Sequence, residues 1–255
     1  MTTDPILVTG GTGTLGREVV PLLRAAGREV RVLSRHPRPA TDGVEQVACD
    51  LATGAGLDAA LAGVDTVVHL AGGPKGDEVT TARLVAAARR AGVRHLVYIS
   101  VVAADRIPLA YYRSKHAAEQ AVAGSGIPYT TLRAAQFHTF ALAYVEKAAK
   151  LPVVPAPGGM RCEPVDVRHV AERLVDLTLG EPAGLVPDLA GPRVYTLGEL
   201  TAGYLAARGR RRVQLPVRVP GKVGRAYRAG DNLAGTGAER GGRGWEAFLG
   251  DLAAA

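Results

Sequence analysis

The stretch TGGTGTLG, residues 9–16, decides how this chain is read. It follows a short β-rich run, PILVTG (5–10), and it opens a helix-like run, GREVVPLLRAAG (16–27). Two spacings overlap in it. Thr9, Gly10, Gly13 and Gly16 fit TGxxGxxG, and Gly11, Gly13 and Gly16 fit GxGxxG. Glycine permits the tight strand-to-helix turn. A missing side chain lets the backbone approach a pyrophosphate, and Gly16 permits close helix–strand packing. The helix that follows turns its free N–H groups and positive dipole end toward the anion. A strand before, a helix after and a βαβ unit around it form the context in which such glycines bind a dinucleotide. Gly10, Thr12, Gly13, Thr14, Leu15 and Gly16 are therefore the expected phosphate cradle.

The rest of the first half repeats the alternation. REVRVLSR (28–35), VEQVACDL (44–51), DTVVHLAG (65–72), HLVYISVV (95–102) and YTTLRAAQ (129–136) read as strands. GLDAALAG (56–63), DEVTTARLVAAARRAG (77–92, closed by Gly92) and residues 108–124 read as helices, while Pro21 starts or kinks the first one. Strands separated by helices of this length predict a doubly wound parallel sheet, the Rossmann fold, in an α/β protein. The expected organisation is a dinucleotide-binding core over 1–135 and a small C-terminal substrate-binding region over 136–255. In the second part, 151–164 is rich in proline and glycine and suits loops. Residues 166–180 and 197–209 suit helices, with Asp166 as an N-cap. Residues 229–244 are glycine-rich and read as mobile. In WEAFLGDL (245–252), Trp245, Phe248, Leu249 and Leu252 are spaced to form one apolar helical face.

Composition narrows the classes. The 255 residues are 47% hydrophobic and only 5% aromatic, so Ala, Val and Leu must build the core. The formal charge of +7 comes mainly from scattered arginines, with one tight run at Arg208 to Arg212 and no interleaved aromatics. That pattern argues against nucleic acid and suits a phosphate-bearing small molecule. No apolar run reaches the roughly 18 residues that span a bilayer, and the N-terminus lacks a signal-peptide pattern. The expectation is a cytoplasmic protein with no membrane or nucleic-acid partner, acting on a small-molecule substrate, with room for a homodimer. Cys49 and Cys162 lack metal-ligand spacing and read as reduced, buried small hydrophobes; no metal is expected. The second strand bears on the choice of cofactor. An NAD site places a carboxylate about 20 residues beyond the glycines. This chain has Ser34 and Arg35 there, and the planar fork of Arg35 suits a 2′-phosphate, so NADP(H) is favoured over NAD(H).

At this point the chain resembles the short-chain dehydrogenase/reductase superfamily, and within it the atypical, NmrA-like NAD(P)-binding group. The resemblance is carried by TGGTGTLG (9–16), CDL (49–51), HLAG (69–72), YISVV (98–102), YYRSK (111–115), LRAAQF (132–137) and VDVRHVA (165–171). It implies that Asp50 meets the adenine amino group with Leu51 beside the ring, and that Ala71 and Gly72 line the cofactor. It places Ser100 where the family's catalytic serine lies, and it matches Tyr111 and Lys115 to YxxxK. Arg133, Ala134 and Ala135 would edge the nicotinamide pocket. The linker from Ser100 to Tyr111 is short for the family.

Helix geometry supports the pair. Tyr111 and Lys115, four apart, share a face, whereas Tyr112 lies about 100° round the helix. A phenol titrates near pH 10, and an adjacent ammonium favours the phenolate. Tyr111 then serves as acid/base, Lys115 adds a hydrogen bond to the nicotinamide ribose, and Ser100 holds the substrate oxygen. Gln136, Phe137 and His138 follow a strand end, where ligands bind in open sheets, and are the candidate substrate contacts. The expected activity is NAD(P)H-dependent reduction of a carbonyl or quinone-like molecule. A non-catalytic NADP(H)-binding redox sensor and an NAD-dependent epimerase or dehydratase are the alternatives.

Overall fold

Short runs of β-branched residues between helices need two covered faces, and the chain supplies them. The computed structural model describes residues 4–37, 39–40, 43–73 and 75–254. They divide into two compact units, each drawn from three stretches of chain. One comprises 1–100, 113–132 and 170–186, and the other 101–112, 133–169 and 187–255.

The first unit is built on β1 (Ile6–Thr9), α1 (Gly16–Ala25), β2 (Val30–Ser34), β3 (Val44–Ala48), α2 (Leu57–Leu61), β4 (Thr66–His69) and α3 (Asp77–Ala91), with β5 (His95–Val101) up to Ser100, α4 (Ala110–Ala123) from Arg113 and β6 (Tyr129–Ala134) up to Leu132. The strand order is β3-β2-β1-β4-β5-β6, and the registers are parallel, with Ile6 opposite both Val30 and Thr66. This is the Rossmann-like α/β sheet expected from the alternation. The order reverses direction between β1 and β4, where Thr9 faces His69. Ligands bind outside the carboxyl ends of strands at such a point. One face of the sheet buries Leu7, Val67, Leu96 and Tyr98 against Leu57, Leu61, Leu84 and Val122 of the helices. Helix α3 ends at Gly92, whose φ of 78° is the left-handed cap that glycine adopts without strain.

The second unit corrects three sequence readings. Residues 151–164 are not all loop. Val153–Pro157 pairs in parallel with Val213–Val217, Pro155 opposite Leu215 and Pro216 opposite Ala156. A two-stranded ribbon has only edges, and edges tolerate proline. Gly221–Ala229 forms a helix that the arginine- and glycine-rich sequence did not signal. The stretch read as mobile is tied down in part. Glu239–Arg240 pairs with Leu189–Ala190, and Arg240 reaches the buried Glu163 carboxylate at 3.4 Å.

Other expectations about the helices hold. Asp166 accepts the Arg168 amide at 2.9 Å, as an N-cap should. Helix Leu197–Ala207 starts from a Thr196/Glu199 capping box. Trp245, Phe248 and Leu249 pack on Leu200, Tyr204 and Leu205 of that helix and on α5 (His138–Ala148) through Ala141 and Val145. Both cysteines are free, and burial pushes the Cys162 thiol up to about 12, so it is an inert packing group. Among the described residues, no helix is long and apolar enough to cross a membrane.

Candidate cofactor and catalytic site

The glycine turn takes its shape from contacts that a side chain would destroy. Gly10 has φ 69°, and a Cβ there would lie 2.7 Å from the Ala71 nitrogen. A Cβ on Gly16 would lie 2.3 Å from the Gly10 carbonyl and 2.5 Å from Gly11 Cα. The nearest approach that Gly16 permits is thus to the turn itself. Gly13 closes the turn by donating its N–H to the Gly10 carbonyl at 2.9 Å.

A cleft of about 510 Å³ opens beside this turn, within the first unit. Gly10, Thr12 and Gly13 line it, together with Arg35, Asp50, Leu51, Ala71 and Gly72 from the sequence-derived set. Thr14, Leu15 and Gly16 are not among its lining residues: Leu15 and Gly16 are buried in the turn, while Thr14 is exposed. Ser34 and His36 flank Arg35 at the end of β2, and Lys75, Asp77 and Thr80 line the cleft although the sequence did not mark them. Asp50 is partly committed, since one carboxylate oxygen accepts the Ala52 amide at 2.9 Å. The cleft therefore combines bare backbone at the strand ends with a cationic side chain beside β2. Those features fit a dinucleotide diphosphate and an anionic ribose substituent.

A buried polar chain braces the cleft floor. The Thr9 hydroxyl accepts the Ala71 amide at 3.0 Å and bonds His69 Nδ1 at 2.7 Å, and His69 Nε2 meets Thr81 at 2.9 Å. Burial, with the Lys115 charge second, brings the His69 pKa down to about 3, so its ring is neutral and serves as a strut. This ties β1, β4 and α3 together where the cofactor loop emerges.

Lys115 lies on α4 and is almost fully buried. Its Nζ is 3.0 Å from Asp77 Oδ2 and 3.5 Å from Tyr98 Oη, with the Tyr98 ring centroid at 5.3 Å. Ser100, at the end of β5, is 4% exposed, and its Oγ has no hydrogen-bond partner among the described residues. A buried hydroxyl without a partner is uncommon and suits one that a ligand would satisfy.

In the second unit, Tyr111 is half-buried and stands edge-on to Tyr112, ring centroids 5.5 Å apart. Tyr112 is buried. Its Oη lies 3.0 Å from Tyr227 Oη and accepts from Gln136 Nε2 at 3.4 Å. Burial, followed by Tyr112, raises the Tyr227 pKa, so this phenol stays protonated. Tyr227 sits on the unsignalled helix and was invisible to sequence reasoning. Ala103, between Ser100 and Tyr111, has φ 65° and is the only non-glycine residue with positive φ among the described residues.

The three candidate substrate contacts fare differently. Gln136 is engaged with Tyr112, and Phe137 bridges to Val165. His138 is 1% exposed, and its ring stacks with Phe248 at 5.0 Å and Trp245 at 5.9 Å. That placement gives His138 a packing role. Arg133 pairs with Asp105 at 3.3 Å. Among the described residues no group of three or more His, Cys, Asp or Glu side chains is arranged to hold a metal.

A family model described as NAD(P)H-binding matches residues 10–176. A (4-alkanoyl-5-oxo-2,5-dihydrofuran-3-yl)methyl phosphate reductase from Streptomyces griseus is 38% identical over 214 residues, covering 80% of this chain and 74% of its own. An NAD(P)H azoreductase from Xenophilus azovorans is 32% identical over 212 residues, with the same coverage. The fold superposes on that of the NADPH-dependent quinone oxidoreductase of Escherichia coli in complex with NADPH, with a TM-score of 0.80 at 22% identity over 97% of this chain and 99% of that one.

Proposed function

The chain belongs to the NAD(P)H-binding family and is an NAD(P)-dependent oxidoreductase; from that premise we propose that it is an NADPH-dependent reductase of a carbonyl or quinone-like small molecule, of the atypical NmrA-like kind its sequence resembles, with Tyr111 as the acid. The observation that carries the reading is the buried Lys115 ammonium, 3.0 Å from the Asp77 carboxylate and on the same helix as Tyr111, one turn away. The relatives are named as reductases of an oxo-dihydrofuran phosphate and of azo compounds. Small molecules with a polarised double bond are the corresponding substrate class here.

Bound NADPH supplies the hydride. The Ser100 hydroxyl, without a partner among the described residues, donates a hydrogen bond to the substrate oxygen. As negative charge grows on that oxygen, Tyr111 Oη gives it a proton, and the product is the alcohol or hydroquinone. Lys115 stabilises the phenolate left behind, which makes the proton easier to lose. Arg35, exposed at the cleft edge beside Ser34 and His36, pairs with the 2′-phosphate and sets the preference for NADPH.

The test follows NADPH absorbance against a panel of quinones and aldehydes. Tyr111→Phe is expected to lower kcat by about 100-fold or more while NADPH binding changes little. Undiminished turnover in that variant would remove Tyr111 from the reaction. Tight NADPH binding by the wild-type protein with no turnover on any substrate would favour the sensor reading instead.

A further inference from the structure

Asp77 opens α3, and nothing in the sequence marks it beyond a helix start. Its side chain is nonetheless buried, 5% exposed, and it faces Lys115, which is 8% exposed. Oδ1 accepts the Gly73 amide at 2.7 Å. Oδ2 stands 3.0 Å from Lys115 Nζ without the alignment of a hydrogen bond. The pair sits against Gly72: a Cβ there would lie 3.0 Å from Nζ and 3.1 Å from Oδ2. Tyr98 forms another wall of the seat, and its ring stacks on His69 at 5.4 Å. Gly72, Gly73 and Asp77 all line the cofactor cleft.

An ammonium with so little exposure needs a counter-ion to remain charged, and a carboxylate with one oxygen fixed to a backbone amide cannot swing away from it. We propose that Asp77 is a positioning residue of this reductase: its carboxylate, anchored by the Gly73 amide, holds the Lys115 ammonium charged and in place against Gly72 at the wall of the cofactor cleft. The inference rests on the function proposed above, in which Lys115 assists Tyr111. Asp77 itself touches no reacting atom. Its effect passes through Lys115, and the absence of a side chain on Gly72 makes room for the pair.

A double-mutant cycle with Lys115→Met tests this. Asp77→Asn keeps an oxygen for the Gly73 amide and removes the charge. It is expected to lower kcat about tenfold while the NADPH Kd, from fluorescence titration, stays within about threefold. In the Lys115→Met background the same substitution should leave kcat within about twofold. A second readout needs no cofactor. Cofactor-free Asp77→Asn should melt below the wild type, and Lys115→Met should restore the loss, because no ammonium is then left unpaired. Should Asp77→Asn fail to fold, Gly72→Ala wedges a methyl group into the pair; it too should lower kcat and have no further effect beside Lys115→Met. Undiminished kcat in Asp77→Asn with impaired Lys115→Met overturns this inference alone, as do equal losses in both backgrounds. Undiminished turnover in Lys115→Met overturns the functional reading and this inference with it.

Discussion

Replacing His138 with phenylalanine should make this protein more stable, and the gain should grow as the pH falls. The ring lies inside a cluster with Trp245 and Phe248, and neither of its nitrogens has a hydrogen-bond partner among the described residues. Buried polar atoms left unpaired cost about 1–3 kcal/mol, and phenylalanine removes them while keeping a stacking ring. Burial lowers the pKa of His138 from 6.5 to about 4, with Asp166 and Glu246 opposing the shift and Arg243 adding to it. Because the folded value lies below the unfolded one, the unfolded chain binds the extra proton first. Stability is therefore whole above pH 6.5 and is lost as the pH falls from there toward about 4. From 6.5 to pH 5 the wild type should lose roughly 2 kcal/mol through this group, at about 1.4 kcal/mol per pH unit. Urea unfolding of both proteins at pH 7 and pH 5 measures it. The variant should be about 1 kcal/mol more stable at pH 7, and the difference should widen by about 2 kcal/mol at pH 5. A variant less stable than the wild type at pH 7, or equally pH-sensitive, would refute the reasoning. Turnover measured on the same variant tests the packing role, which leaves kcat intact, against a substrate contact.

Gly16→Ala should weaken NADPH binding at least tenfold by calorimetry, since its Cβ would meet backbone atoms of the turn that no rotamer can move aside. In Arg35→Ala, kcat/KM for NADPH should fall about tenfold while that for NADH stays within about twofold; equal losses with both would remove Arg35 from cofactor selection. Trp245→Ala should cost about 3–5 kcal/mol in urea unfolding, because a fully buried indole is lost together with its Nε1 hydrogen bond to the Leu200 carbonyl at 3.0 Å.

Much of the first unit was legible because its signals are local. The turn at Thr9–Gly16 is written in consecutive residues, and the helix and strand periods around it need no distant partner. The C-terminal helix was legible for the same reason, from the spacing of Trp245, Phe248 and Leu249. The errors fell where local chemistry misleads. Pro155 and Pro157 read as loop although an isolated ribbon accepts them, and GKVGRAYRA (221–229) follows Pro220, has no side-chain N-cap and carries two glycines, so the face of Val223, Ala226 and Tyr227 went unread.

What the amino-acid order determined by itself is a dinucleotide-type glycine turn at the head of an alternating α/β chain, and a tyrosine and a lysine one helical turn apart. The tertiary structure alone decided the company those residues keep. It placed Asp77 against Lys115, Tyr227 against Tyr112 across 115 residues of sequence, and His138 in an aromatic cluster with Phe248 and Trp245. Backbone preference and hydrophobic period act over a few residues and can be read in order. Counter-ions and buried hydroxyl partners arise from distant stretches that pack together, and a linear pattern holds no record of which stretch meets which.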